Sequence, residues 1–346
     1  MRSSSPLQPL PPRVESDFCR RLSFVGRILE DPDYIVWCCA PIYGPDGKVH
    51  VFYSRWPREA GFQAWLTHCE VAHAVADDPA GPYKTVDVAL AGRGPGHWDA
   101  CTIHNPTIHR VGDRYALFYM ANAFTPTSPR DEAINTKRVG VAFSDSLYGP
   151  WERPDQPLIT TGPAGSWDEV LVSNPAFLAH PQGQCWLYYK GVDTDSWRKF
   201  HGNRKYGLAV AETLTGPYRK HVGNPLIDMS VFGEHYECED AYMWHDGEGF
   251  HAIMRDMGVF GEQYGLYLHS DDGIRWGTPQ IGYHPSPYYL EEPPNDLPRK
   301  ERFERPQLLF KDGQPSHLFV AFRGGRYQTA SAAVLKINDA ASTGRG

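Results

Sequence analysis

Residues 138–153 read RVGVAFSDSLYGPWER, and residues 205–220 read KYGLAVAETLTGPYRK. Residues 70–84, EVAHAVADDPAGPYK, carry the same phrase a third time. Each copy is an apolar run of strand length, a polar break, and then Gly-Pro-aromatic leading to a basic residue. Runs rich in β-branched and aromatic residues read as strands, and Gly-Pro marks a turn. A related close, DGIRW, spans Asp272 to Trp276. Similarity at a fixed interval of roughly 65 residues signals a repeat architecture.

Working outward, a second strand precedes each of these runs. Its copies are GKVHVFYSR, DRYALFYMA, QCWLYYKG, GFHAIMRD and PSHLFVAFR, ending at Arg55, Ala121, Gly191, Asp256 and Arg323. Turn sequences such as PDG (Pro45–Gly47) and HDGEG (His245–Gly249) stand before them and suit hairpins. Before each turn lies a further run, usually marked by proline: CAPIY, HNPTIH, SNPAFL, EDAYMW and ERPQLLF. Five copies of a four-strand unit predict an all-β chain folded as a single five-bladed β-propeller with four antiparallel strands per blade. The fifth copy runs out after three strands. The segment FVGRILEDP, Phe24–Pro32, is expected to supply the fourth and close the ring. Residues 1–20 read as an N-terminal arm, 21–338 as the propeller and 339–346 as a disordered tail.

The innermost strands of a propeller line its axis, and the proline-marked runs are the candidates. Registered on proline, the preceding pairs are Cys39–Ala40, His104–Asn105, Ser173–Asn174 and Glu304–Arg305; in blade four Ala241 replaces proline and the pair is Glu239–Asp240. Alternation along a strand sends one member of each pair to the axis. Buried polar groups need partners, so such a column marks binding or catalysis. A second column, at the ends of the central strands, holds Arg55, Lys190, Arg255 and Arg323. These pair with the carboxylates or grip an anionic substrate. Two segments share W-D-x(5)-N-P and place Asp99 and Asp168 just before inner strands, either as catalytic groups at the channel mouth or as a repeated structural device. The polar segment DTDSWRKFHGNRKYG, Asp193–Gly207, offers His201 and Arg204 as substrate contacts. Trp56, Trp65, Trp98, Trp167, Trp197 and Tyr242 stand near these motifs as stacking platforms or blade packing.

Composition excludes several classes. Of 346 residues, 41% are hydrophobic and 22% charged, which fits a folded soluble domain. No stretch approaches the ~18 apolar residues of a membrane span. A net charge of −7 with scattered Lys and Arg argues against a nucleic-acid partner. The seven cysteines show no CxxC spacing and read as reduced, buried residues. With no apolar signal segment in MRSSSPLQPLPP, a cytoplasmic location is expected. No motif demands a cofactor, although His and carboxylates converging on the channel leave room for a structural metal. Oligomeric state is not legible.

The runs DPDYIVWCCAPI, HVFYSRWP, GFQAWLTHCEVAHAV, WDACTIHNPTI, VSNPAF, YYKGV, EDAYMW and FERPQLLF resemble a group of bacterial proteins related to glycoside hydrolase family 43, similar also to family 117 and to sucrase-like proteins. The resemblance spans about Asp31 to Arg323. It implies a five-bladed propeller with a saccharide site at the axis, and three carboxylates: a base Asp in blade one, a pKa-tuning Asp in blade three and an acid Glu in blade four. EDA carries Glu239 in the acid position, and ERP carries Glu304 in a similar setting. CAP puts Cys39 and Ala40 where the base would stand, and SNP puts Ser173 and Asn174 where the tuner would. Asp99, Asp168, or the more distant Asp31 and Asp33, would have to replace them. Family 117 uses a His as acid, which adds His104. The expected activity is exo-hydrolysis of a short, possibly anionic oligosaccharide by a carboxylic acid pair at the propeller axis. The alternatives are a lyase on a uronic sugar, using His104, Arg255 and Tyr242, and a carbohydrate-binding propeller without catalysis.

Overall fold

The computed structural model describes residues 7–124, 130–195, 197, 202–292 and 296–339. Five antiparallel sheets follow one another along the chain and surround one axis. Blade one comprises Tyr34–Tyr43, Val49–Pro57, Glu70–Ala76 and Lys84–Leu90. Blade two comprises Thr102–Val111, Arg114–Asn122 and Arg138–Ser144. Blade three comprises Leu171–Ala179, Cys185–Val192, Lys205–Ala211 and Arg219–Lys220. Blade four comprises Glu237–His245, Phe250–Met257, Gly265–Ser270 and Gln280–Tyr283. Blade five comprises Glu304–Lys311, Gln314–Gly324 and Thr329–Ile337, closed by the N-terminal strand Leu22–Ile28. That strand pairs Leu22 with Ile337 and Ile28 with Ala332, so the ring is sewn shut by the two ends of the repeat region.

Both faces of each blade pack against a neighbour, so the central strands are nearly continuous apolar runs. Phe118, Phe177, Leu187 and Tyr189 fill the space between blades two and three, and Tyr188, Leu208, Met243 and Met254 that between three and four. Burying one such side chain contributes ~1.5–3 kcal/mol. In the repeated phrase, Gly81, Gly149 and Gly216 take φ of 85°, 77° and 86°, a conformation cheap only for glycine. The aromatic that follows folds back against it; Trp151, for example, packs edge-on against Phe52 of blade one.

Two details differ from the sequence reading. Blade two has three strands; its fourth is reduced to bridges at Glu152 and Ile159. Pro150, Pro154 and Pro157 lie in that stretch, and proline cannot donate to a ladder. Within the N-terminal arm, Glu15 bridges Ile281 and Ser16 caps a short helix at Asp17–Arg20. Blade one is also out of register with the proline alignment, as described below. The seven cysteines are free, six of them buried.

Candidate active site

One residue in each inner strand has a left-handed backbone: Cys38 (φ 53°), Asn105 (52°), Asn174 (47°), Asp240 (61°) and Arg305 (55°). At each, the pairing with the central strand skips. Such a bulge breaks the alternation of side chains. In blades two, four and five both members of the marked pair therefore line one cavity: His104 with Asn105, Glu239 with Asp240, and Glu304 with Arg305. Alternation had implied that Glu239 and Asp240 point opposite ways; the bulge overrides it. In blade one the equivalent pair is Trp37–Cys38, not Cys39–Ala40, because proline follows the left-handed residue by three positions rather than one.

The five left-handed residues form a polar ring across the axis, bonded in series from Cys38 to Arg305, which returns a guanidinium N–H to the Asn105 carbonyl oxygen at 3.5 Å. Cys38 Sγ donates to Asn105 Oδ1 (2.7 Å), Asn105 Nδ2 to Asn174 Oδ1 (2.7 Å), and Asn174 Nδ2 to Asp240 Oδ1 (2.6 Å). Arg305 donates its backbone N–H to Asp240 Oδ2 and a guanidinium N–H to Asp240 Oδ1, both at 3.2 Å. All five are buried. Four of the ring's members, Asn105, Asn174, Asp240 and Arg305, form the floor of a cavity of about 380 Å³. One wall is aromatic: Trp37, Trp56, Phe62, Trp65 and Trp197. Trp98, Trp167 and Tyr242 do not reach it. Among the described residues, five cations, Lys137, Lys190, Arg204, Arg299 and Arg305, face three carboxylates, Glu239, Asp240 and Glu304. Among the described residues no metal-like cluster of His, Cys, Asp and Glu occurs, and Asp240, the carboxylate of the axial ring, is already bonded to Arg305.

Glu239 is clasped by three cations. Lys190 Nζ donates to Oε1, Arg255 donates to Oε2 at 3.0 Å, and Arg204 Nε lies 3.6 Å from Oε1. Burial works to raise its pKa, but Lys190, Arg204 and Arg255 together hold the carboxyl well below the usual range. Asp240 moves the other way: burial and the charge of Glu239 raise it. Glu304, buried, meets guanidinium groups at longer range, Arg302 at 3.5 Å, Arg299 at 3.6 Å and Arg255 at 3.8 Å. Arg255 thus links the carboxylates of blades four and five.

His104 stands in blade two, not adjacent to blade four, and so faces Glu239 from across the axis. Its ring stacks on Trp65 (centroids 5.2 Å apart) and meets Trp56 edge-on at 5.9 Å. Burial, then Arg305, Lys137 and Lys190, push its pKa well below the ordinary value, so the imidazole is neutral.

The remaining sequence candidates lie elsewhere. Asp99 is buried between Arg93 (2.6 Å) and Arg153 (3.3 Å) and accepts from Tyr119 (3.0 Å). Asp168 takes Lys220 (2.5 Å), Tyr189 (3.0 Å) and Ser166 (3.0 Å) in the same pattern. Trp98 and Trp167 cover Tyr119 and Tyr189. The W-D motif is therefore a copied blade device, and neither Asp lines the cavity. Asp168→Asn is expected to lose ~1–3 kcal/mol of stability, the cost of weakening a buried charged acceptor, with turnover per folded molecule within about twofold of wild type on the same principle that remote sites act through stability. Denaturant unfolding beside active-site-normalised kinetics checks both. Arg55 does not line the cavity; it pairs with Glu70 at 2.9 Å and lies over Tyr34. The basic column is not one register: Lys190 and Arg255 pair with Ser173 and Glu239, whereas Arg55 and Arg323 lie further along their strands. His201 is outside the described residues. Trp37, Phe62, Lys137, Met120 and Arg299 line the cavity without having been singled out in the sequence; Lys137 and Phe62, the latter opening a short 3₁₀ helix, come from connections between strands, which carry no repeat signal.

No family model matches the sequence, and no curated protein matches it. Solved structures do. Zg3597, a family 117 glycoside hydrolase of the marine bacterium Zobellia galactanivorans, superposes with a TM-score of 0.66 over 93% of this chain and 91% of its own, at 18% identity. The fold is that of this enzyme. The GH43_1 enzyme of Xanthomonas citri complexed with xylotriose gives 0.58 over 94% and 93%, at 14% identity. CoXyl43, a β-xylosidase/α-arabinofuranosidase from a compost microbial metagenome, solved with xylotriose in a calcium-free form, gives 0.57 over 91% and 94%, at 15% identity. At these identities the likeness concerns architecture, a five-bladed propeller with one axis.

Proposed function

We propose that the chain is a glycoside hydrolase that removes a terminal unit from a short anionic oligosaccharide. The observation that carries this reading is the cavity itself: a site floored by the axial ring, with an aromatic wall and, among the described residues, five cations against three carboxylates, in a chain of net charge −7. Aromatic faces suit sugar rings, and guanidinium and ammonium groups suit a carboxylate or sulfate. A closed floor admits a chain end. The neighbours in fold, whose names describe glycoside hydrolases, support the reading.

In the resting chain Glu239 is ionised and cannot give a proton. An anionic sugar competes for Lys190 and Arg204. As those cations turn to the substrate, burial is left to dominate and Glu239 takes up a proton. It then protonates the leaving oxygen, while His104, across the cavity, accepts the proton of the attacking water. Acid and base on opposite walls fit direct displacement. The carboxylate thus becomes an acid only when the right substrate is present. We also propose a cytoplasmic location, which suits fragments small enough to be imported.

The test is a panel of short uronic, sulfated and neutral oligosaccharides, read by released monosaccharide. Anionic substrates are expected to exceed neutral analogues by ~100-fold or more in kcat/KM, equivalent to ~2.7 kcal/mol. Their advantage should shrink as ionic strength approaches ~1 M, where screening is short-ranged. Equal turnover of neutral sugars would sink the charge argument. A second reading, a uronate lyase, is favoured by the neutral imidazole of His104 amid cations able to neutralise a carboxylate. An ultraviolet-absorbing product without water uptake would select it. Binding without turnover across the panel would select a non-catalytic propeller.

A further inference from the structure

The side of His104 away from the cavity is held by a thiol. Cys69 lies in blade one just before the strand Glu70–Ala76, and its Sγ is 3.0 Å from His104 Nδ1. The same sulfur lies 3.6 Å from the Glu70 carbonyl oxygen, which can only accept. The backbone fixes this approach as well: Ile103, next to His104, donates its N–H to the Cys69 carbonyl at 3.1 Å. A thiol has one proton. If that proton serves Glu70, the sulfur meets His104 as an acceptor, and Nδ1 must carry the imidazole proton. Nε2, on the other side of the ring from that contact, then holds a lone pair, and His104 lines the cavity whereas Cys69 does not.

We propose that Cys69 is a positioning residue that fixes His104 in its Nδ1–H tautomer, leaving Nε2 as the base of the site. This rests on the reading that a sugar reacts in this cavity, and it serves the hydrolase and the lyase alike. In hydrolysis the water oxygen bonds to the anomeric carbon as the glycosidic C–O bond breaks. The water's proton goes to Nε2, and the proton of Glu239 goes to the leaving oxygen. In elimination Nε2 instead takes the C–H proton beside the sugar carboxylate, the electron pair left behind forms a C=C bond, and the C–O bond on the next carbon breaks as the proton of Glu239 goes to the leaving oxygen. In both, Nδ1–H stays bonded to sulfur, so the ring cannot turn as it becomes positive. The charged groups that face it, Arg305, Lys137 and Lys190, oppose that charge and speed release of the proton afterwards. Cys69 itself stays a thiol, since burial holds its pKa well above the ordinary range.

Two arms separate this inference from the reading beneath it. The first needs no substrate: nitrogen NMR of the histidine-labelled full chain, with His104 assigned by loss of its signals in His104→Gln. A protonated-type shift at Nδ1 and an unprotonated-type shift at Nε2 are expected, with the two averaging in Cys69→Ala. A proton on Nε2, or an unchanged tautomer in Cys69→Ala, overturns the proposal whatever the enzyme's reaction. The second arm is kinetic. Cys69→Ala is expected to lower kcat ~10–100-fold with KM unchanged, and to move the pH midpoint of the acid limb. Cys69→Ser, whose hydroxyl can accept from Nδ1 and donate to Glu70, should restore most of kcat. Equal kcat in wild type and Cys69→Ala would also overturn it, and so would equal loss in the alanine and serine variants.

Discussion

Glu239→Gln is expected to lower kcat by ~10²–10⁴-fold, the usual worth of a positioned general acid, while binding of the anionic oligosaccharide persists. The side chain keeps its shape and its place against Lys190 and Arg255, but it can no longer hold or give a proton. The amide no longer competes with the negative charge of the substrate for Lys190 and Arg204, so affinity should hold or rise. Stability should fall. Lys190 and Arg255 are buried, and the amide leaves them a single acceptor oxygen. Arg204 keeps Glu237 and Arg255 keeps Glu304, which limits the loss to ~1–3 kcal/mol. The pH dependence has a definite sign. A carboxyl held below its unfolded value of about 4.3 stabilises the fold above that pH, and the contribution disappears as pH falls through the lower, folded value. The variant should therefore lose stability at neutral pH and converge on wild type in acid. Kinetics, calorimetric binding and unfolding at neutral and acid pH test the three parts. A kcat within tenfold of wild type would remove Glu239 from the acid role.

The propeller was legible because repetition is visible in one chain. Three copies of the Gly-Pro-aromatic phrase and five apolar central runs leave little freedom, and the missing strand could be sought at the N-terminus because an open ring leaves an unpaired edge. The site was legible only in part. Asn105, Asn174, His104, Glu304, Arg305 and, with Ala241 in place of proline, Glu239 and Asp240 were singled out because polar residues at the proline-marked position of an inner strand are costly to keep, and Lys190 because it ends a central strand. What failed was geometry that a period of two cannot express. The bulge turned Asp240 to the same side as Glu239, and it shifted blade one so that Trp37, not Cys39 or Ala40, faces the cavity. The two aspartates of the W-D motif misled for the opposite reason. A repeat copies structural devices as faithfully as functional ones, and Asp99 and Asp168 reveal their role only through Arg153 and Lys220, which lie more than fifty residues further along the chain. Lys137 and Phe62 reach the cavity from connections between strands, where no pattern marks them.

Arg305→Met is expected to cost ~3–5 kcal/mol, the penalty for removing one partner of a buried ion pair. Arg305 is 1% exposed and Asp240 3%, so solvent cannot take over the lost contact. Asp240 would keep Asn174 and one backbone N–H but lose its only guanidinium in the ring, with Glu239 beside it as a like charge. The loss should propagate, because each member of the ring orients the next: Asp240 holds Asn174, Asn174 holds Asn105, and Asn105 accepts from Cys38. The double variant Asp240→Asn with Arg305→Met removes both charges and leaves an amide that can still accept from Asn174. It should regain a large part of the single variant's loss, since the cost lies in an uncompensated charge rather than in missing volume. Urea unfolding of the two single variants and the double one measures the coupling directly. A strongly positive coupling means that the ring is an ion pair buried for position, the rigid floor against which a sugar is set. An Arg305→Met loss below ~1 kcal/mol, the scale of an exposed pair, would mean that water reaches the axis and that the cavity has no floor. Exo action would then lose its structural basis, although the acid at Glu239 would not.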